Sequence, residues 1–198
     1  GTSVFSNLKT DVGTSLSGAS HVFSSPYNWQ ANDWINFSIV LGSAASVTIF
    51  EKEIRKFFLK NRSNTLNKFS NFGEIYGEPL TVILLTGTLY GTGLILNDNW
   101  LRETSVILTA SLIPSGIIQT TAKMSGGRVR PYLELDNLHF EPFRQEEDYY
   151  SFVSGHTFIS VTTSWILAKR LNNNIAKSFL YTAGMLGALS RIYIDKHW

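Results

Sequence analysis

At 198 residues and a formal net charge of +2, the chain is long enough for one domain with a sizeable core and too weakly charged to recruit nucleic acid by its field. It has no cysteine, which excludes disulfides, thiolate metal sites and cysteine nucleophiles. Charged residues make up 16%, below the ~25% usual in soluble domains, and this points to long apolar helices.

Residues 1–33 are rich in Gly, Ser, Thr and Asn with scattered apolar residues such as Val4, Phe5, Val22 and Phe23, and read as a loop-rich N-terminal segment with at most one short helix. The chain opens on Gly1 and no stretch joins a basic run to an apolar one, so a signal peptide or a longer N-terminus removed before Gly1 is the expectation. Trp34 to Phe50 carries no charge, and the basic run from Glu51 to Lys60 extends it. Asn61 to Gly77 is polar, punctuated by Asn71 and Gly73. Leu80–Leu96, Thr104–Ala122, Thr157–Ala168 and Ile175 to about Ile194 are too long for strands and lack a period of two, so they are predicted helices. A charged, Pro-containing connection, Ser125 to Ser151, separates the middle two. The predicted fold is an all-α bundle of about five to seven helices over residues 34–198.

Three clusters carry candidate chemistry. Lys123 ends a predicted helix at Gly126-Gly127, and Pro131 holds Arg130 out of helical geometry, so both cations can swing towards one point. Taken alone, this is an ordinary basic helix end favoured by the macrodipole. Ser154-Gly155-His156 opens the next helix: Ser154 fits an N-cap, and free N–H groups at a helix start bind anions. Alone, it reads as a capped helix with a surface histidine. Arg191 and His197 lie near the chain end, six residues apart, which is about 120° of azimuth on a regular helix. Alone, they read as an amphipathic helix end with Trp198 as a packing anchor.

Together, Lys123…Arg130-Pro131, then Val153-Ser154-Gly155-His156, then Ser190-Arg191…His197 resemble the pattern of the PAP2 (type 2 phosphatidic acid phosphatase) superfamily, which includes lipid phosphate phosphatases, class A acid phosphatases and vanadium haloperoxidases. The resemblance runs from about Gly73 to the end, with Val153 in place of the family's Pro. The pattern's closing Asp would fall at position 201, so the chain is read as truncated within the motif, and Asp195 is on the wrong face to replace it.

The resemblance implies a phosphatase that hydrolyses phosphate monoesters, including lipid phosphates or pyrophosphates, through a phosphohistidine. His197 is then the nucleophile and His156 the acid and base, while Lys123, Arg130, Ser154, Gly155 and Arg191 bind phosphate. No carboxylate cluster offers a metal site, and no cofactor is expected beyond phosphate or vanadate as occupant. His139 and the run Glu146-Glu147-Asp148 read as structural or rim residues. The alternatives are a vanadium-dependent haloperoxidase and a non-catalytic phosphate- or lipid-binding module. The expected partner is a phosphorylated small molecule or lipid phosphate, with no nucleic acid.

The helices are long enough to cross a bilayer. Mean hydropathy of +0.01 and dilution by Gly, Ser, Thr and Asn favour packing in water. Single crossings would also gather Lys52, Arg55, Lys56, Lys60, Arg62, Lys68, Lys123, Arg128, Arg130 and Arg144 on one side, which would then be cytoplasmic. In membrane members of the family the reactive residues face outward, so the preferred location is periplasmic or secreted, with an integral membrane protein as the alternative.

Overall fold

The protein is described by a computed structural model over residues 4–198, with side chains from Asn7 onward; Gly1 and the loop reading of residues 1–3 lie outside the described residues. Eight α-helices make up most of it: α1 (Val4–Ser24), α2 (Ala31–Val47), α3 (Glu51–Lys60), α4 (Asn64–Tyr76), α5 (Pro79–Ile95), α6 (Asn99–Gly126), α7 (Gly155–Arg170) and α8 (Asn174–Tyr193). Three short 3-10 turns join them, and among the described residues strand pairing is limited to one isolated bridge, Arg128 with Phe140.

The fold is all-α, as the sequence predicts, but with eight helices instead of five to seven. The loop reading of residues 1–33 is overturned by the 21-residue α1 and the start of α2. Leu8, Val12, Ser15 and Ala19 recur at helical spacing, and the small members Ser15 and Ala19 are the buried ones. Gly18 lies against Ala110 of α6, so the residues that weaken an isolated helix here allow close packing. The polar stretch 61–77 also folds, as α4, with the Ser63 hydroxyl accepting from Leu66 N (3.2 Å). The segment read as continuous from Trp34 to Lys60 is α2 and α3, bent by 58°.

Two groups of helices share the molecule. In one, α1 and α5 pack on α6, tied where Asp11 accepts from Tyr90 Oη (2.9 Å) and from Arg102 Nε and Nη2 (3.1 and 2.9 Å). In the other, α8 packs between α4 and α7 through small residues. Ser160 and Ser164 of α7 face Gly184 and Gly187 of α8, and Ser160 Oγ donates to the Gly184 carbonyl (3.2 Å). The interior is accordingly small and polar: Thr104, Ser160, Thr163, Ser164 and Ser190 are fully buried beside Leu108 and Val129.

The large apolar side chains point outward instead. Ile83 and Leu84 on α5, Ile117 on α6, and Trp165 and Phe179 on α7 and α8 are exposed, and α2 has no buried residue. By length and composition α6 suffices to cross a membrane, and the bent pairs α2–α3 and α4–α5 bring the count to three if each is one span.

Candidate active site

The end of α8 sets the first part of the site. The helix closes in a Schellman arrangement: Lys196 N donates to the Arg191 carbonyl (3.0 Å), Asp195 N to Ile192 O (3.0 Å), and Asp195 takes φ +64°. The regular-helix geometry expected for Arg191 and His197 is thereby corrected. The chain folds back, His197 N also reaches the Arg191 carbonyl (3.1 Å), and both side chains come to one end of the helix. Asp195 accepts from Arg55 Nε and Nη2 (2.6 and 2.7 Å), which locks the turn to α3. Trp198 Nε1 donates to Val129 O (2.9 Å), the anchoring role expected of it.

His197 is buried, 6% exposed, and its Nδ1 donates to the Ser151 carbonyl (2.6 Å). A backbone carbonyl only accepts, so this contact assigns the proton to Nδ1 and leaves the Nε2 lone pair free. Burial, partly opposed by that hydrogen bond and reinforced by the charges of Arg191, Arg130 and Lys123, pushes the imidazole down to about 3.

Those three cations come from different elements. Lys123 is in the last turn of α6, which Gly127 ends in the left-handed conformation at φ +56°. Arg130 follows, extended at ψ 147° as Pro131 requires, with its N–H on the Asp148 carbonyl (2.8 Å). Its near neighbour Arg128 is structural, bonded to Glu51 (3.0 and 2.5 Å) and to the Asn137 carbonyl. Arg130 Nε and Arg191 Nε are both buried and bond to nothing in the protein. Two unpaired guanidinium donors beside a lysine form a receptor for an anion.

At the start of α7, Ser154 Oγ accepts from Thr157 N (3.3 Å), so the predicted N-cap is formed, and Gly155 is the first helical residue. His156 is half-buried. Burial and the Arg191 charge lower its basicity, while Glu78 and Glu74 act against them. Arg191 thus acts electrostatically on both histidines.

Glu74 and Glu78 were not legible as site residues. Glu74 Oε1 accepts from Arg191 Nη1 (3.0 Å), and Glu78 Oε2 lies 3.1 Å from His156 Nε2. Both sit at the 59° bend between α4 and α5. Gly77 makes the bend possible against α7, since a Cβ there would lie 2.9 Å from the His156 carbonyl oxygen. The Gly77-Glu78-Pro79 break is visible in the sequence, but no spacing rule links it to a histidine 78 residues on. His139 pairs with Glu141 (3.0 Å) and Asp148 accepts from Tyr132, contacts within the loop. Among the described residues no three His, Cys, Asp or Glu side chains are grouped as a metal ion would require.

Between α5, α6 and α7 a cavity of about 430 Å³ begins at Gly155 and runs along the apolar side chains Val82, Ile83, Leu112, Ile113, Phe158 and Ile159. Gln119 sits at its inner end against Gly155, with Oε1 buried and unpaired.

The segment from Thr104 to Trp198 matches the family model described as the PAP2 superfamily, a shorter reach than the resemblance read from Gly73. No curated protein and no solved structure gives a significant match. The matched stretch starts in the second turn of α6 and takes in Lys123, Arg130, Arg191, His156 and His197, so residues 104–198 are similar to a PAP2 superfamily domain.

Proposed function

We propose that the protein is a phosphatase that hydrolyses phosphate monoesters through a phosphohistidine on His197. The observation that carries this reading is the setting of that side chain: buried, with Nδ1 on the Ser151 carbonyl, Nε2 free, and Lys123, Arg130 and Arg191 near enough to lower its basicity. Lys123, Arg130 and Arg191 hold the non-bridging oxygens, with the α7 N-terminus and Ser154 completing the cradle. The Nε2 lone pair attacks phosphorus as the ester P–O bond breaks, and His156 gives its proton to the departing alkoxide. Water then attacks phosphorus and loses a proton to His156, and the P–N bond breaks to return neutral His197. The test is phosphate release from p-nitrophenyl phosphate in EDTA, with vanadate as inhibitor. His197→Ala must reduce the rate by at least about a thousandfold; activity that survives the substitution, or that demands a divalent metal, contradicts the mechanism.

The cavity supports an apolar alcohol as the leaving group, and so a lipid phosphate or a related long-chain ester, because it opens from the phosphate-binding turn itself. Gly116 lines it, with open space where a Cβ would stand. Gly116→Leu should lower kcat/KM for a long-chain alkyl phosphate by about tenfold, from the loss of a few buried methylenes, and leave p-nitrophenyl phosphate turnover unchanged. Equal effects on both substrates would remove this part of the reading.

The outward apolar side chains and the small-residue interior favour a membrane as the surrounding solvent, with α6 and the two bent pairs as the spanning segments. Membrane fractions washed with alkaline carbonate should retain the protein; its release into the wash would favour the bundle packed in water.

A further inference from the structure

The bend between α4 and α5 delivers two carboxylates to a site that otherwise gathers cations. Glu74 is matched by Arg191, whose charge it balances. Glu78 has a different partner. Its Oε2 meets the Nε2 of His156, while Nδ1 of the same ring has no hydrogen bond in the protein. Glu78 is also fixed from its own side: it is the N-cap residue of α5, its carbonyl accepts from Val82 N (3.3 Å), and Pro79 sets the chain direction after it. The Gly77 backbone pressed on His156 keeps the carboxylate at this distance.

A carboxylate on one ring nitrogen dictates what the other nitrogen does. While Nε2–H donates to Glu78, the neutral ring presents a lone pair at Nδ1 and the charged ring presents Nδ1–H. One nitrogen can then give a proton to a leaving alkoxide and later take one from water, without the ring turning over. Against this stand the other charges that face His156: Arg191 from α8 opposes protonation, and Glu74 from α4 assists it weakly.

We infer that Glu78 is the positioning residue of the leaving-group acid: it holds His156 in the tautomer that directs Nδ1 to the reacting oxygen and keeps the ring protonated for the first step. This rests on the phosphatase reading and goes beyond it, since the PAP2 superfamily match begins at Thr104 and does not include Glu78. The side chain of Glu78 is 53% exposed, so replacing it creates no cavity and leaves no buried charge.

The test compares leaving groups. An alkoxide needs the proton, whereas 2,4-dinitrophenolate departs without one. Glu78→Gln should lower kcat/KM for a simple alkyl phosphate roughly 10- to 100-fold, and change kcat/KM for 2,4-dinitrophenyl phosphate, which runs only through the first phosphoryl transfer, by less than about threefold. The alkaline limb of the alkyl phosphate profile should move to lower pH, because the protonated ring has lost its anion, and Glu78→Asp should recover part of the rate. In a His156→Ala background Glu78→Gln should cost nothing more. Equal losses on both substrates, no loss on either, or a full additional loss in the His156→Ala background would each overturn the assignment. If the unmodified protein releases phosphate from neither substrate, the phosphatase reading has failed instead, which is a separate outcome.

Discussion

The two histidines stand in one site but in opposite surroundings. His197, on the turn after α8, is closed off from water, faces three cations and donates Nδ1–H to a neutral carbonyl. His156, in the first turn of α7, is half-buried beside one arginine and has a carboxylate on its ring. The first environment keeps an imidazole neutral, as a nucleophile requires; the second lets one carry and release a proton. This contrast suits the division of labour proposed for the two rings.

This contrast can be broken most severely by removing the cations on the His197 side. Arg130→Ala should lower kcat roughly 10²- to 10³-fold, since a preorganised charge on the transferring group is lost, and Arg130→Lys should recover only part because the fork is gone. Steady-state kinetics on p-nitrophenyl phosphate would show whether binding or turnover suffers.

The His156 side can be strained without touching a reactive group. Gly77→Ala would place a Cβ 3.0 Å from the His156 Cβ and 2.9 Å from its carbonyl oxygen. A loss of about 1–3 kcal/mol in stability is expected, read from chemical denaturation, together with a weaker response of the alkyl phosphate rate to pH.

The smallest effect is on stability, and it concerns His197. The folded His197 value of about 3 lies below the ordinary imidazole value of 6.5, so its contribution is fully present above about 6.5 and is lost as pH falls towards 3. Between those limits His197→Gln, which cannot take up the proton, should lose less in Tm than the unmodified protein does, by roughly 5 °C. Parallel Tm curves would mean that the imidazole is not held neutral.

The legible parts of the molecule were those where one local rule sufficed. The uncharged runs of α5 to α8, the Ser154 cap and the glycine stop after Lys123 depend on neighbours within a turn, and they appear where the sequence places them. The failures share a cause. α1 and α4 are built from Ser, Asn, Gly and Thr, whose low propensity reads as loop, yet the packed helices α6 and α8 supply what propensity lacks. Mean hydropathy near zero does not tell the two solvents apart here, because small polar residues make up much of the interior and many large apolar ones lie outside. In the site, the cations and histidines belong to a recognisable pattern. Glu74, Glu78 and the Ser151 carbonyl act across 46 to 117 positions of chain and leave no local trace.

Trapping the intermediate is the most direct test. Protein mixed with p-nitrophenyl phosphate and quenched in alkali should carry one phosphoryl group that survives base and is lost in acid, as a phosphohistidine is, on the peptide that contains His197, and His197→Ala should carry none. A label that resists acid, maps to another residue, or persists in the His197→Ala protein would contradict a covalent role for that imidazole.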